Sequence, residues 1–176
     1  QVLEELQGEG ADVASCPREV AQRVGDGLIF LSLPNAGSVT EVVEGEDGLF
    51  EGLATGSKVV DMGSTAVEPT REWYQKAISM GSDWIDAPVS GGQKGAREAN
   101  LTIMAGGREE SVEALRPVLG VLGTTLTYMG PSGAGQCAKL ANQVIVASTI
   151  ASLSEAFLLC RENGVDLKAV RAALLG

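Results

Sequence analysis

Two kinds of hydrophobic pattern alternate along this chain. The first is a continuous apolar run, clearest in "GLIFLSLP", which ends at Pro34. A run with no polar face predicts a strand covered on both sides, as in a parallel sheet. "SKVVDM", "DWIDAPV", "LTIMAG" and "TLTYMG" predict further strands. The second kind repeats its apolar positions every three or four residues and predicts helices. "SCPREVAQRVG" has Ser15 and Pro17 at its start and Gly25 after its end. "SVTEVVEG" places Ser38 and Glu41 at capping-box spacing, with Gly45 closing the helix. "EPTREWYQKAISMG" is amphipathic, with Pro69 near its first turn and Gly81 at its end. "REESVEALRPVLGVLG" predicts a helix with a bend or stop at Pro117. The opening "QVLEELQGEGADVAS" predicts the end of a helix, a glycine stop and a short strand. Strands alternating with helices of this size predict an α/β fold with a largely parallel sheet.

The pattern changes after Gly130. From about Gly135 to Asn163 the sequence predicts one long helix, apolar nearly all round and rich in Ala and Ser. Such a helix is expected to be buried on most sides by another domain or another subunit. Gly164 ends it, and Asp166 caps a second helix. The expected division is a sheet domain over residues 1–130 and the start of an all-helical domain over residues 131–176.

Composition narrows the chemistry. Apolar residues make up 44% of the chain, enough for a real core, and the formal net charge is −10. That charge argues against nucleic acid and anionic membrane as partners, while leaving a small anionic substrate open. The uncharged run Leu140 to Ser154 is short for a bilayer span and contains Asn, Gln, Ser and Thr. Histidine is absent, which excludes a Ser-His-Asp triad, a Cys-His pair and any His-ligated zinc. A general acid or base must then be Lys, Asp, Glu, Tyr or Cys, and no metal site is expected. Cys16, Cys137 and Cys160 lack C-x-x-C pairing and read as free thiols in a reducing compartment, packed as small core residues. Gln1 enters mid-pattern with no signal-peptide features, so the N-terminal part is expected to be missing or processed.

A doubly wound fold holds its ligands beyond the carboxyl ends of its strands. The segments there are "LPNAG", "MGST", "PVSGG" and "GPSGAG". The last opens "GPSGAGQCAKLANQ", in which Gly133 to Ala138 spells the dinucleotide fingerprint G-x-G-x-x-A and Gly130 to Gly135 spells G-x-x-x-x-G. The dinucleotide reading fails because the helix does not return to a strand, and Glu155, the acid at the right distance, lies on that same helix. The phosphate-loop reading fails because Gln136 and Cys137 stand where Lys and Ser/Thr are needed. A third reading uses Lys139, about one turn into the helix, with Asn142 and Gln143 on the same face. Burial and the positive helix N-terminus would disfavour its charged form and poise it as a general acid or base. An exposed lysine on a first turn fits the stretch equally well.

Taken together, two segments resemble the β-hydroxyacid dehydrogenase family. "DAPVSGGQKGAREANLTIMAGG" is similar to its substrate-loop segment, and "GAGQCAKLANQ" to its catalytic-lysine segment G-x-G-x-x-x-K-x-x-N. "FLSLPN" and "VVDMGST" sit where the family keeps two cofactor-contacting segments. The resemblance runs through essentially the whole chain, with the motifs in order. It implies a partial Rossmann-type doubly wound sheet that lacks its first βαβ elements, followed by a long helix opening an all-α domain. The strand Leu28–Ser32 would then carry an unpaired edge. The implied activity, for a full-length protein, is hydride transfer between NAD or NADP and a small 3-hydroxy acid of the 3-hydroxyisobutyrate or tartronate semialdehyde type. By resemblance Lys139 is the catalytic acid/base. Ser90, Gly91 and Gly92 hold the substrate carboxylate, Asn142 binds the substrate and Gln143 assists. Leu33, Pro34, Asn35 and Ser64 contact the cofactor. The resemblance also implies a homo-oligomer formed through the helical domain, located in the cytoplasm or, alternatively, the mitochondrial matrix. The absence of histidine after the lysine disfavours the 6-phosphogluconate branch. A different class of reading is a short, non-catalytic binding or dimerisation module built on the long helix.

Overall fold

The computed structural model describes residues 2–175 and forms two compact units, Gln1–Lys139 and Leu140–Gly176. The first unit begins with helices α1 (Val2–Gly8) and α2 (Pro17–Val24), followed by strand β1 (Leu28–Leu31) and helices α3 (Ala36–Glu44) and α4 (Leu49–Gly52). Then come β2 (Lys58–Asp61), α5 (Val67–Ser79), β3 (Asp83–Asp86), β4 (Val89–Ser90) and α6 (Gly92–Arg97). The unit continues through β5 (Thr102–Gly106), α7 (Glu109–Leu119) and β6 (Thr125–Gly130), and ends in the first turns of α8 (Ala134–Glu162). The second unit holds the rest of α8 and α9 (Leu167–Leu175).

The five strands expected from the apolar runs are present, but the sheet is mixed. β1, β2 and β3 run parallel and in register, Leu31 beside Asp61 and Asp61 beside Asp86. β5 runs antiparallel to β3 and β4, and β6 runs parallel to β5. The reversal has a local cause. Pro88 interrupts the β3–β4 run, and the short helix α6 returns the chain in a hairpin-like excursion rather than a full crossover. Apolar content alone cannot distinguish the two directions.

The alternating side chains of the sheet pack into two cores, one on each face. Val59 and Trp84 face a core of Ile29, Leu31, Val39, Phe50, Trp73 and Ala77, so α3, α4 and α5 cover that side. Their neighbours Val60 and Ile85 face the other way, into a core with Ile103, Val112, Leu115 and Leu119 of β5 and α7. Cover on this second face is thinner: Phe30 is 41% exposed beside Val121 and Leu122. Among the described residues β1 pairs only with β2, so its other edge is open, as expected.

Several local expectations need correction. No strand forms in residues 11–15. Helix α3 is capped by Asn35, whose Oδ1 accepts from the Ser38 N–H at 2.9 Å, rather than by Ser38. Asn35 has the extended backbone that an N-cap needs and follows Pro34 directly. Helix α7 passes through Pro117 and ends two residues later at Leu119, so the proline lies in its last turn. The short helices α4 and α6 were not foreseen. None of the cysteines is fully buried; Cys137 is exposed.

Helix α8 is long and apolar enough to cross a membrane by length and composition alone, a test that the core helices of soluble proteins also pass. Its buried residues are Gly135, Gln136 and Lys139, whereas Val144 and Ile145 are each 66% exposed within this chain.

The centre of the first core is Trp84, fully buried with its ring 5.4 Å from that of Trp73 and 6.2 Å from that of Phe50. Replacing Trp84 by Ala is expected to lower the unfolding free energy by about 3–5 kcal/mol, measured by urea denaturation. A loss under ~1 kcal/mol would mean that the aromatic cluster does not support the sheet.

Candidate active site

Leu33 and Ser64 follow the carboxyl ends of β1 and β2, as a doubly wound arrangement requires, and Ser90 lies a few residues beyond β3. Pro34 and Ser64 are exposed, and Leu33 and Ser90 are half-buried. Gly63 packs directly on the Leu33 backbone: a Cβ there would lie 2.9 Å from the Leu33 carbonyl oxygen. That contact brings the β1 and β2 loops together. Ser90 ends β4, paired with Thr102, and Gly91 and Gly92 take φ values of 137° and 61° as the chain turns into α6. These left-handed conformations suit glycine and leave the peptide groups of this turn uncovered by side chains.

The arrangement depends on residues that the motif reading did not single out. Asp86, at the end of β3, is fully buried and accepts from the N–H groups of Gly133 at 2.8 Å and Gln136 at 3.0 Å. A remote carboxylate thus caps the first turn of α8 and opposes its positive end. Gly135 lies so close to β3 and β5 that a Cβ would strike the Met104 carbonyl oxygen and come within 2.7 Å of the Asp86 carbonyl oxygen. This settles the meaning of the glycines in "GPSGAGQ". The N–H groups that a phosphate would need are already bonded to Asp86, and the glycines serve close backbone approach.

Gln136 is also fully buried. Its Nε2 donates to the Gly63 carbonyl at 2.9 Å and its Oε1 accepts from the Thr65 N–H at 3.0 Å. Asp61, at the end of β2, accepts from the Gly63 N–H at 2.9 Å and from Thr65 Oγ1 at 3.4 Å. The loop around Ser64 is therefore held from the strand side and from the helix side. Among the described residues no Lys or Arg forms an ion pair with Asp61 or Asp86. Burial accordingly pushes both carboxyls up, Asp61 to about 6, against the pull of their N–H donors.

Lys139 follows Gln136 by three residues on α8 and is only 8% exposed. Its ammonium forms no ion pair among the described residues, and burial lowers its pKa. Of the two readings of this lysine, the structure excludes the exposed one. Asn142 and Gln143 lie in the second unit, where the Asn142 Nδ2 donates to Gln143 Oε1 at 3.1 Å.

Comparison with known proteins places this geometry. Residues 1–130 match the family described as the NAD binding domain of 6-phosphogluconate dehydrogenase. Residues 133–176 match that described as NAD-binding of NADP-dependent 3-hydroxyisobutyrate dehydrogenase. The chain belongs to the β-hydroxyacid dehydrogenase family. It is 39% identical to the 2-hydroxy-3-oxopropionate reductase of Escherichia coli over 99% of its own length and 59% of the reductase's. It is 30% identical to the Mycobacterium tuberculosis 3-hydroxyisobutyrate dehydrogenase solved with L-serine, with a TM-score of 0.83 over 97% of this chain and 57% of that one. It is 28% identical to Psf3, solved with NADP+ and 2-OPP, with a TM-score of 0.84 over 96% of this chain and 59% of that one. The chain thus spans under two thirds of the length of each of these relatives.

The cofactor of this dehydrogenase family is NAD or NADP. Pro34 and Ser64 are exposed, and the backbone on either side of Ser64 is fixed by buried hydrogen bonds. Asp86, Gln136 and Asp61 were not foreseen as parts of the site. A buried acid at a strand end looks like any other strand residue until the tertiary fold supplies its partners.

The raised pKa of Asp61 makes a signed prediction. Its folded-state value lies above the unfolded one, so its contribution to stability is present at low pH and is lost as pH rises through about 6. Asp61→Asn should therefore gain stability relative to the parent chain as pH rises from about 4 to about 7, by up to roughly 3 kcal/mol. Urea unfolding across that range measures the difference, and a difference independent of pH would show that Asp61 titrates normally.

Proposed function

We propose that this chain is part of an NAD(P)-dependent oxidoreductase that transfers hydride between nicotinamide and a small 3-hydroxy acid. The substrate is of the 3-hydroxyisobutyrate or 2-hydroxy-3-oxopropionate (tartronate semialdehyde) type, and Lys139 is its general acid/base. The observation that carries this reading is Lys139 itself: a buried amine with a lowered pKa and no ion pair among the described residues, on a helix turn bonded to the loop around Ser64. A lysine so placed exchanges a proton near neutral pH more readily than a solvated one.

In this reading Leu33, Pro34, Asn35 and Ser64 border the nicotinamide cofactor, whose part when bound is to accept or supply hydride. Asn35 contributes its backbone and its position, because its Oδ1 already caps α3. Ser90, Gly91 and Gly92 receive the substrate carboxylate through a hydroxyl and open peptide N–H groups. Asn142, with Gln143, orients the substrate hydroxyl. Lys139 removes the hydroxyl proton in oxidation and returns one in reduction. The substrate class is supported by the name of the E. coli relative and by L-serine, itself a small 3-hydroxy acid, in the M. tuberculosis structure. The exposed apolar surface of α8 supports a homo-oligomer formed through the helical domain. The cytoplasm, or the mitochondrial matrix, is the proposed location.

In a chain extended to the length of its relatives, Lys139→Ala should lower turnover by about a hundredfold or more while leaving nicotinamide affinity nearly unchanged. Steady-state assays on a panel of 3-hydroxy acids, paired with cofactor titration, give the answer. Near-normal turnover would remove Lys139 from the role. The 176-residue chain alone should bind NAD(H) or NADP(H) only very weakly, since no glycine-rich phosphate loop precedes β1 within it. Micromolar binding by calorimetry would overturn that expectation.

A further inference from the structure

Ser64 stands between two peptide groups that are both held by a single side chain. Gln136 donates through Nε2 to the carbonyl of Gly63 at 2.9 Å and accepts through Oε1 from the N–H of Thr65 at 3.0 Å. A side-chain amide thus imitates one rung of a sheet ladder, and Ser64 is the exposed residue it leaves outside. Gln136 is fully buried, so neither bond is shared with solvent. The backbone N–H of the same residue donates to Asp86 at 3.0 Å, which fixes the amide to the end of β3. Lys139 follows three residues later, about one helical turn along.

We propose that Gln136 is a positioning residue that couples the cofactor-bordering loop at Ser64 to the helix turn bearing Lys139. This rests on the roles proposed above for Ser64 and Lys139. The coupling works because the amide is both donor and acceptor in one rigid plane. Moving α8 relative to the β2 loop would break both bonds in a space with no water to replace them, so the lysine and the loop serine keep one spacing. An apolar residue of similar size fills the volume but leaves the Gly63 carbonyl and the Thr65 N–H unpaired. A carboxylic acid restores both bonds, its hydroxyl donating to Gly63 and its carbonyl accepting from Thr65. A carboxylate cannot, because it faces the Gly63 carbonyl with no proton. The titratable groups of the same cluster are Asp61 at the end of β2, Asp86 at the end of β3 and Lys139 on α8. The two acids favour the protonated form of a third carboxyl placed among them.

The test uses the full-length protein, Gln136→Leu and Gln136→Glu, with steady-state kinetics from about pH 5.5 to about pH 9 and a thermal melt of each. If Gln136 couples the two elements, the Leu variant raises the nicotinamide KM and lowers kcat, each by about tenfold, with the KM for the hydroxy acid changing less. The Glu variant, expressed as a ratio to the parent at each pH, recovers toward parental values at the acid end or throughout. A folded Leu variant with parental nicotinamide KM overturns the proposal. So does a Glu variant as impaired as the Leu variant at every pH, and this arm decides the matter if the Leu variant does not fold. The underlying reading fails differently: a parent protein that binds no nicotinamide, or a Lys139→Ala variant that turns over normally, removes the functional assignment whatever Gln136 does.

Discussion

The structure of the site depends on one buried carboxylate. Asp86 stands at the carboxyl end of β3, out of contact with solvent, and receives N–H groups from Gly133 and Gln136. Those bonds fix where α8 starts and the direction in which its first turn faces. Desolvating a carboxylate without a cation is costly, and the raised pKa records that cost. What offsets it is the helix terminus itself, whose unsatisfied N–H groups would otherwise be buried without acceptors. Each side supplies what the other lacks, so neither can move independently.

The other contacts of the site extend this constraint. Asp61 lies beside Asp86 in the strand register and treats the next loop in the same way, holding Gly63 and Thr65. Gln136 joins the two systems, and the close approach of Gly135 to β5 leaves no slack between helix and sheet. Lys139 inherits its position from this frame. Burial lowers its pKa. The sequence reading credits part of such a shift to the helix terminus, whose N–H groups at Gly133 and Gln136 are bonded to Asp86.

Much of the fold is legible in residue pattern. The apolar runs locate β1, β2, β3, β5 and β6, and the glycine and proline punctuation locates α2, α3, α5, α7 and α8. Strand direction after Pro88 is not legible, because β5 is equally apolar whichever way it runs. For α8, periodicity likewise shows that the helix has apolar faces, not what covers them. Within this chain most of those faces are exposed.

The site divides along the same line. The residues proposed for it, Ser90, Gly91, Gly92, Ser64, Lys139 and Asn142, are suggested by the resemblance of their segments to the family's motifs. The residues that hold the loop around Ser64 and the start of α8 in place, Asp61, Asp86 and Gln136, carry no local signal. Their bonds join positions far apart in the chain, and an Asp at a strand end or a Gln in a helix has many possible roles. The sequence by itself determined the order of the elements, the residue types available for chemistry and the exclusion of histidine-based mechanisms. Only the tertiary structure decided that the glycine-rich turn binds a carboxylate of its own chain, because hydrogen-bond partners brought together by folding are not neighbours in sequence.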